Sequence, residues 1–185
     1  MRDDLKAQTR ALRIEVLIIA SVFIVASFVG ALIWNGSVDL PRWQLSGGQI
    51  VMGPIEATKT VGIDAVYLFV SIPMAFVLGV ALTWWRRRTP VTTVVLIALT
   101  SLIAAALMER FGLWLGPADP GSVLKHAAAG ATAPVRLQVQ ATGVLMGWPA
   151  AAVLGSLLVL LLAPTDKFDE KGQSASDRLN ALPTH

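Results

Sequence analysis

The 185-residue chain has no cysteine, which excludes disulfides, thiol nucleophiles and thiolate metal sites. Charge is scarce too: 15% of residues are charged against 55% hydrophobic, and the mean hydropathy is +0.65. A soluble domain of this length is more charged and less apolar. Histidine occurs only at His126 and His185, neither with neighbouring ligands, so no metal site is expected. Phosphate-cradling glycine loops, nucleophile elbows and nucleic-acid motifs are lacking. No cofactor and no nucleic-acid partner follow from these residues. The formal net charge of +3 sits at the ends of apolar runs, where it reads as membrane orientation.

What is present is a set of apolar runs, each long enough to cross about 30 Å of hydrocarbon as a helix. They predict spans over about 14–34, 65–85, 91–108 and 141–163. None carries a charge near its middle, so no ion or solute pathway is marked. The expectation is an all-α membrane protein. It is a four-transmembrane-helix bundle over 14–163, with outer loops 35–64 and 109–140 forming a small outer-face cap. Residues 1–13 read as a cytoplasmic N-terminal segment and 164–185 as a mobile cytoplasmic tail. A secretory signal competes for the first run, but its apolar core would be shorter and a cleavage site should follow. Val29-Gly30-Ala31 is a weak candidate for that site, which favours an uncleaved helix.

Two spans carry small residues every four positions. In the last span they are Gly143, Gly147, Ala151 and Gly155; in the second, Ser71, Ala75 and Gly79. That spacing puts them on one helix face, where a neighbouring backbone can approach closely. The stripes are therefore the predicted helix-packing surface, within the chain or toward a partner. Pro149 is expected to free the Leu145 carbonyl and bend the last span, and Pro73 to kink the second.

Trp84-Trp85 followed by Arg86-Arg87-Arg88 marks an inner interface: tryptophan at headgroup depth, arginine in water, and a place for anionic lipid. Ten Lys and Arg fall on the side of the termini, namely Arg2, Lys6, Arg10, Arg13, Arg86, Arg87, Arg88, Lys167, Lys171 and Arg178. Five fall on the other side: Arg42, Lys59, Arg110, Lys125 and Arg136. The bias places both termini in the cytoplasm, with the chain multi-pass in the inner (plasma) membrane. Glu15 is expected at the inner edge of the first span, reaching water beside Arg10 or Arg13.

The outer loops have their own patterns. Arg42–Leu45 and Gln49–Met52 alternate in polarity around Ser46-Gly47-Gly48, a hairpin. Val135–Gln140 alternates as a third strand, and Ser122–Ala129 reads as a short helix ended by Gly130. Together these suggest a three-stranded sheet in the cap. Asp64 and Glu109 are the carboxylates at the outer interface. They are the candidate acid/base pair, but the paired-helix motifs of a lipoprotein signal peptidase, with Asp beside Asn and Ala, are absent. No catalytic residue is assigned, and an enzyme is not expected.

Leu115 to Leu162 resembles a family of uncharacterised actinobacterial four-span membrane proteins. The likeness lies in the Leu115-Gly116-Pro117 exit, the Ala/Gly-rich loop, Gly143-Val144-Leu145 and Trp148-Pro149. Such proteins resemble small accessory subunits of mycobacterial lipid-import complexes of the mammalian-cell-entry type. The resemblance implies no established reaction. The close-packing faces, the structured outer loops and the lack of a polar pathway lead to the expectation of a non-enzymatic accessory or stabilising subunit of a larger envelope complex, with membrane lipids and other membrane-protein subunits as partners; the analogy adds a preference for a complex that moves lipid. A stand-alone lipid-handling or small-solute transport protein is the alternative, and an outer-face membrane hydrolase stands behind it.

Overall fold

The computed structural model describes residues 2–86 and 90–162. The expected tail 164–185 lies outside them, as do Arg87 and Arg88. Among the described residues four helices are long and apolar enough to cross a membrane. They are α1 (Arg2–Ser37), α2 (Pro54–Trp85), α3 (Pro90–Leu115) and α5 (Gly147–Leu162), the last preceded by a 3-10 turn over Thr142–Met146. A short α4 (Pro120–Leu124) and strands β1 (Arg42–Ser46), β2 (Gln49–Val51) and β3 (Thr132–Pro134) form the cap.

Each long helix buries one stripe at helical spacing. On α1 it is Glu15, Ile19, Phe23, Ser27, Ala31 and Trp34; on α3, Thr93, Ile97, Ser101, Ala104 and Met108. The opposite faces expose large apolar side chains, among them Leu17, Val25, Phe69, Val77, Ile103 and Leu161. In water such a surface would drive association; in hydrocarbon it is the solvated face. The main pairings are α2 on α5 and α1 on α3, joined by α3 against α5. Phe23 meets the Trp148 ring at 6.2 Å between centroids, and Trp34 meets Tyr67 edge-on at 5.1 Å.

The helices outrun the apolar spans. α2 starts at Pro54, eleven residues before Ala65, with Gly53 at its cap, proline in its first turn and Glu56 there to favour the positive dipole end. α3 continues past Met108 to Leu115, so Glu109 and Arg110 are helical. α5 begins at Gly147, which puts Pro149 in its first turn. There a missing N–H costs no α-helical bond, and the span changes from 3-10 to α geometry at Gly147, two residues before the proline.

The sheet has the order β2-β1-β3, both pairs antiparallel. Gly47 and Gly48 have φ of 58° and 77°, the two left-handed positions of a two-residue hairpin turn. The third strand is not Val135–Gln140. It is Thr132–Pro134, with Trp43 opposite Ala133. The alternation over 135–140 has another cause. Leu137 and Val139 turn into the bundle, and Leu137 packs against Gly112 of α3 and Gly116 just beyond it. Val135 still donates its N–H to Pro41 O at 2.8 Å, at the end of the β1–β3 pairing, but the rest of the segment is alternately buried and outside the sheet. The loop helix is also earlier than expected, because Asp119 accepts from the Ser122 N–H at 3.0 Å and Pro120 opens it.

Candidate functional site

The small residues of α2 lie against those of α5. Ser71, Ala75 and Gly79 are on the buried face of α2, and Gly147, Ala151 and Gly155 on the facing side of α5. A methyl group on Gly79 would run into the Ala152 carbonyl, and one on Gly155 into the Phe76 carbonyl. At Gly147 it would meet the tip of Leu68 at 2.7 Å, a flexible neighbour. Ser156 reaches across, its hydroxyl 3.4 Å from the Gly79 carbonyl and 2.9 Å from that of Ala152. Gly143 stands apart, in the 3-10 turn, with nothing within 4 Å of where its Cβ would be. The close approach exists because a helix without side chains on one face lets backbones touch.

Buried hydroxyls mostly bond back to their own helices: Ser27 to Phe23 O at 2.6 Å, Thr100 to Leu96 O at 2.7 Å and Ser101 to Ala98 O at 2.9 Å. Each satisfies itself locally, so the group does not chain into a polar route. At the cap end, the Trp34 indole donates to Ile63 O and the Tyr67 hydroxyl to Ala105 O, both at 3.0 Å. These bonds tie α1 to α2 and α2 to α3. Gly112 makes room for the Trp34 ring, which a Cβ there would meet at 2.5 Å. The fully buried Trp148 indole N–H lies toward the Tyr67 hydroxyl without reaching hydrogen-bond geometry.

Asp64 and Glu109 are not joined by any hydrogen bond or ion pair. Asp64 accepts from the backbone N–H of Gln140 at 2.9 Å and of Ala141 at 3.0 Å, one with each carboxylate oxygen. It thereby fixes the start of the 3-10 turn to the top of α2. Among the described residues no three His, Asp or Glu gather as a metal-binding group.

At the far end of the bundle, Glu15 departs from its expected place. Its side chain is 6% exposed and pairs with Arg86, just beyond α2. Extending the three-and-four spacing of α1 back from Ile19 lands on Glu15, the signal that would have found it. Among the described residues, one carboxylate oxygen of Glu15 and the Thr83 hydroxyl are buried without a hydrogen-bond partner. Trp84 and Trp85 are exposed, at 60% and 61%, as interfacial aromatics would be.

Two features of the cap side carried no sequence signal. An open groove of about 470 Å³ separates Ile33 and Ser37 of α1 from Val66, Phe69, Pro73 and Met74 of α2. Above it, the Lys59 ammonium lies 3.0 Å from Asp39 and 3.1 Å from Glu56. Glu56 also accepts from the Arg42 N–H at 2.8 Å. That backbone bond, with Lys59 beside it, holds the Glu56 carboxyl below its usual range. The three-residue spacing of Glu56 and Lys59 on α2 is legible in the chain, but their contacts with Asp39 and the Arg42 N–H are not.

Comparison with protein-family models, with curated proteins and with solved structures finds no match.

Proposed function

We propose that the chain is a non-enzymatic accessory or stabilising subunit of a larger cell-envelope membrane complex, one that moves lipid. It sits in the plasma membrane with both termini cytoplasmic. The observation that carries this reading is how the polar and small residues are used. The glycine stripes are occupied by each other, Asp64 spends both oxygens on backbone N–H groups, and most buried hydroxyls serve their own helices. What is left for a partner is the cap. Its edge strand β2 is exposed throughout, and Ile50, Val51 and Ile55 are apolar and accessible. An unpaired edge with apolar neighbours suits another subunit. The lipid-import part rests on analogy alone: Leu115–Leu162 resembles uncharacterised four-span membrane proteins, and some small proteins of that general kind look like accessory subunits of lipid-import complexes.

The test is extraction from native membranes in mild detergent, followed by mass spectrometry of whatever migrates with the chain. Defined envelope subunits in constant proportion are the expected result. A lone monomer under the gentlest conditions would sink the proposal. The groove between α1 and α2 favours a second reading, a stand-alone lipid-handling protein, which predicts that monomer.

A further inference from the structure

The groove is bounded by two helices that cross the membrane, and its walls are apolar except for Ser37 at the cap end. Water has no partners on such walls. Along α2 it runs from Val66 to Met74, eight residues or about 12 Å. A partner helix, about 10 Å across with its side chains, needs a longer and wider face. Hydrocarbon chains are the apolar material present at this depth, and they are thin enough. The volume, about 470 Å³, falls within the roughly 300–1,000 Å³ of small-ligand sites. Pro73 lines the wall where it removes the N–H that the Phe69 carbonyl would accept, so the helix ladder is interrupted at the groove itself.

The headgroup end has its own chemistry. Lys59 precedes Val66 by seven residues, which places it on the same face of α2 about 10 Å higher. Asp39 follows Ser37 by two residues and keeps 80% of its side chain exposed while pairing with Lys59. The cluster offers one ammonium and two carboxylates. A head bearing only phosphate would meet two negative groups for one positive. A head with phosphate and a primary ammonium meets both signs, and its N–H groups can donate to the carboxylates.

We infer that this groove and the Asp39–Lys59–Glu56 cluster form a binding site for one glycerophospholipid with a phosphoethanolamine head. An acyl chain lies between α1 and α2, the phosphate faces Lys59 and the ammonium faces Asp39. The site stands whether or not the chain has protein partners.

The experiment places the full chain in nanodiscs of phosphatidylethanolamine, phosphatidylcholine and phosphatidylglycerol in equal parts. Native mass spectrometry after gentle release identifies the lipid retained. One phosphatidylethanolamine per chain is expected, enriched several-fold over the other two. Ile33→Trp, at a half-exposed position, fills the groove and removes the retained lipid. Asp39→Asn keeps a bound lipid and loses the preference for the ethanolamine head. Circular dichroism and a melting curve establish that each variant is folded, and Ser37→Trp at the mouth replaces Ile33→Trp if the latter unfolds. Retained lipid that mirrors the disc composition overturns the proposal. So does a preference for phosphatidylglycerol, or a folded groove-filling variant that keeps its phosphatidylethanolamine.

Discussion

Two faces of α2 treat their neighbours in opposite ways. Toward α5 the helix shows Ser71, Ala75 and Gly79, and backbone meets backbone. Toward α1, on the cap side, it shows Val66, Phe69, Pro73 and Met74, and an open groove remains. Both faces are uncharged and both are in a membrane-spanning helix, so hydrophobicity does not separate them. Side-chain volume does. In hydrocarbon there is no hydrophobic gain from bringing helices together, and association follows from how closely surfaces fit. The stripe of small residues closes one side, and bulk with a proline leaves the other ajar.

The sharpest way to break this contrast is Gly79→Leu. Its first added carbon meets the Ala152 carbonyl, which belongs to a backbone and cannot swing aside. The helices must part, at a cost of about 3 kcal/mol or more. A large fall in melting temperature in detergent is expected, and an unchanged one would refute the fit argument. Gly147→Leu is the graded control. The neighbour there is the end of Leu68, so the loss should be nearer 1 kcal/mol. Equal losses at the two positions would show that backbone contact is not what matters. On the open side, Phe69→Ala removes a ring that is 85% exposed, and the stability should stay within about 0.5 kcal/mol of the parent, with little change in melting temperature. The smallest effect belongs to the cluster above the groove. The Glu56 carboxyl is depressed in the folded chain, so its contribution is present above its ordinary value of 4.5 and fades as pH falls through the lower, folded one. Trp43 emission in the neighbouring strand should report a local loosening at acid pH, with the spans unaffected. Loosening on a modest rise above neutrality, where Lys59 keeps its proton because its carboxylate partners Asp39 and Glu56 raise its pKa, would contradict the sign.

What could be read from the residues was chiefly what touches hydrocarbon. The four apolar runs located the crossing helices, because the bilayer imposes a length and a polarity. They did not locate where the helices begin. α2 carries on for eleven residues beyond its apolar run, since Gly53, Pro54 and Glu56 start a helix in water as well as any apolar residue does in lipid. The hairpin was legible because a Gly-Gly turn between alternating strands is a local instruction. Val135–Gln140 misled for a related reason. Alternation reports a segment with one buried side, and Leu137 and Val139 found that burial in the helix bundle, Leu137 at the end of α3, instead of on a strand. Glu15 misled because a carboxylate at the end of an apolar run is ordinarily solvated, and only the fold brings Arg86 beside it. Asp64 lay in plain view, but its partners are 76 and 77 positions away in sequence.

That last contact has a mechanical side. Through Asp64 the lead-in to α5 is hooked to α2, and through Glu56 the first strand of the cap is hooked to the same helix. The sheet is thus a handle riveted to a stiff rod. A tug or twist applied to it would reach α2 and α5 together, and the width of the gap between α2 and α1 would follow.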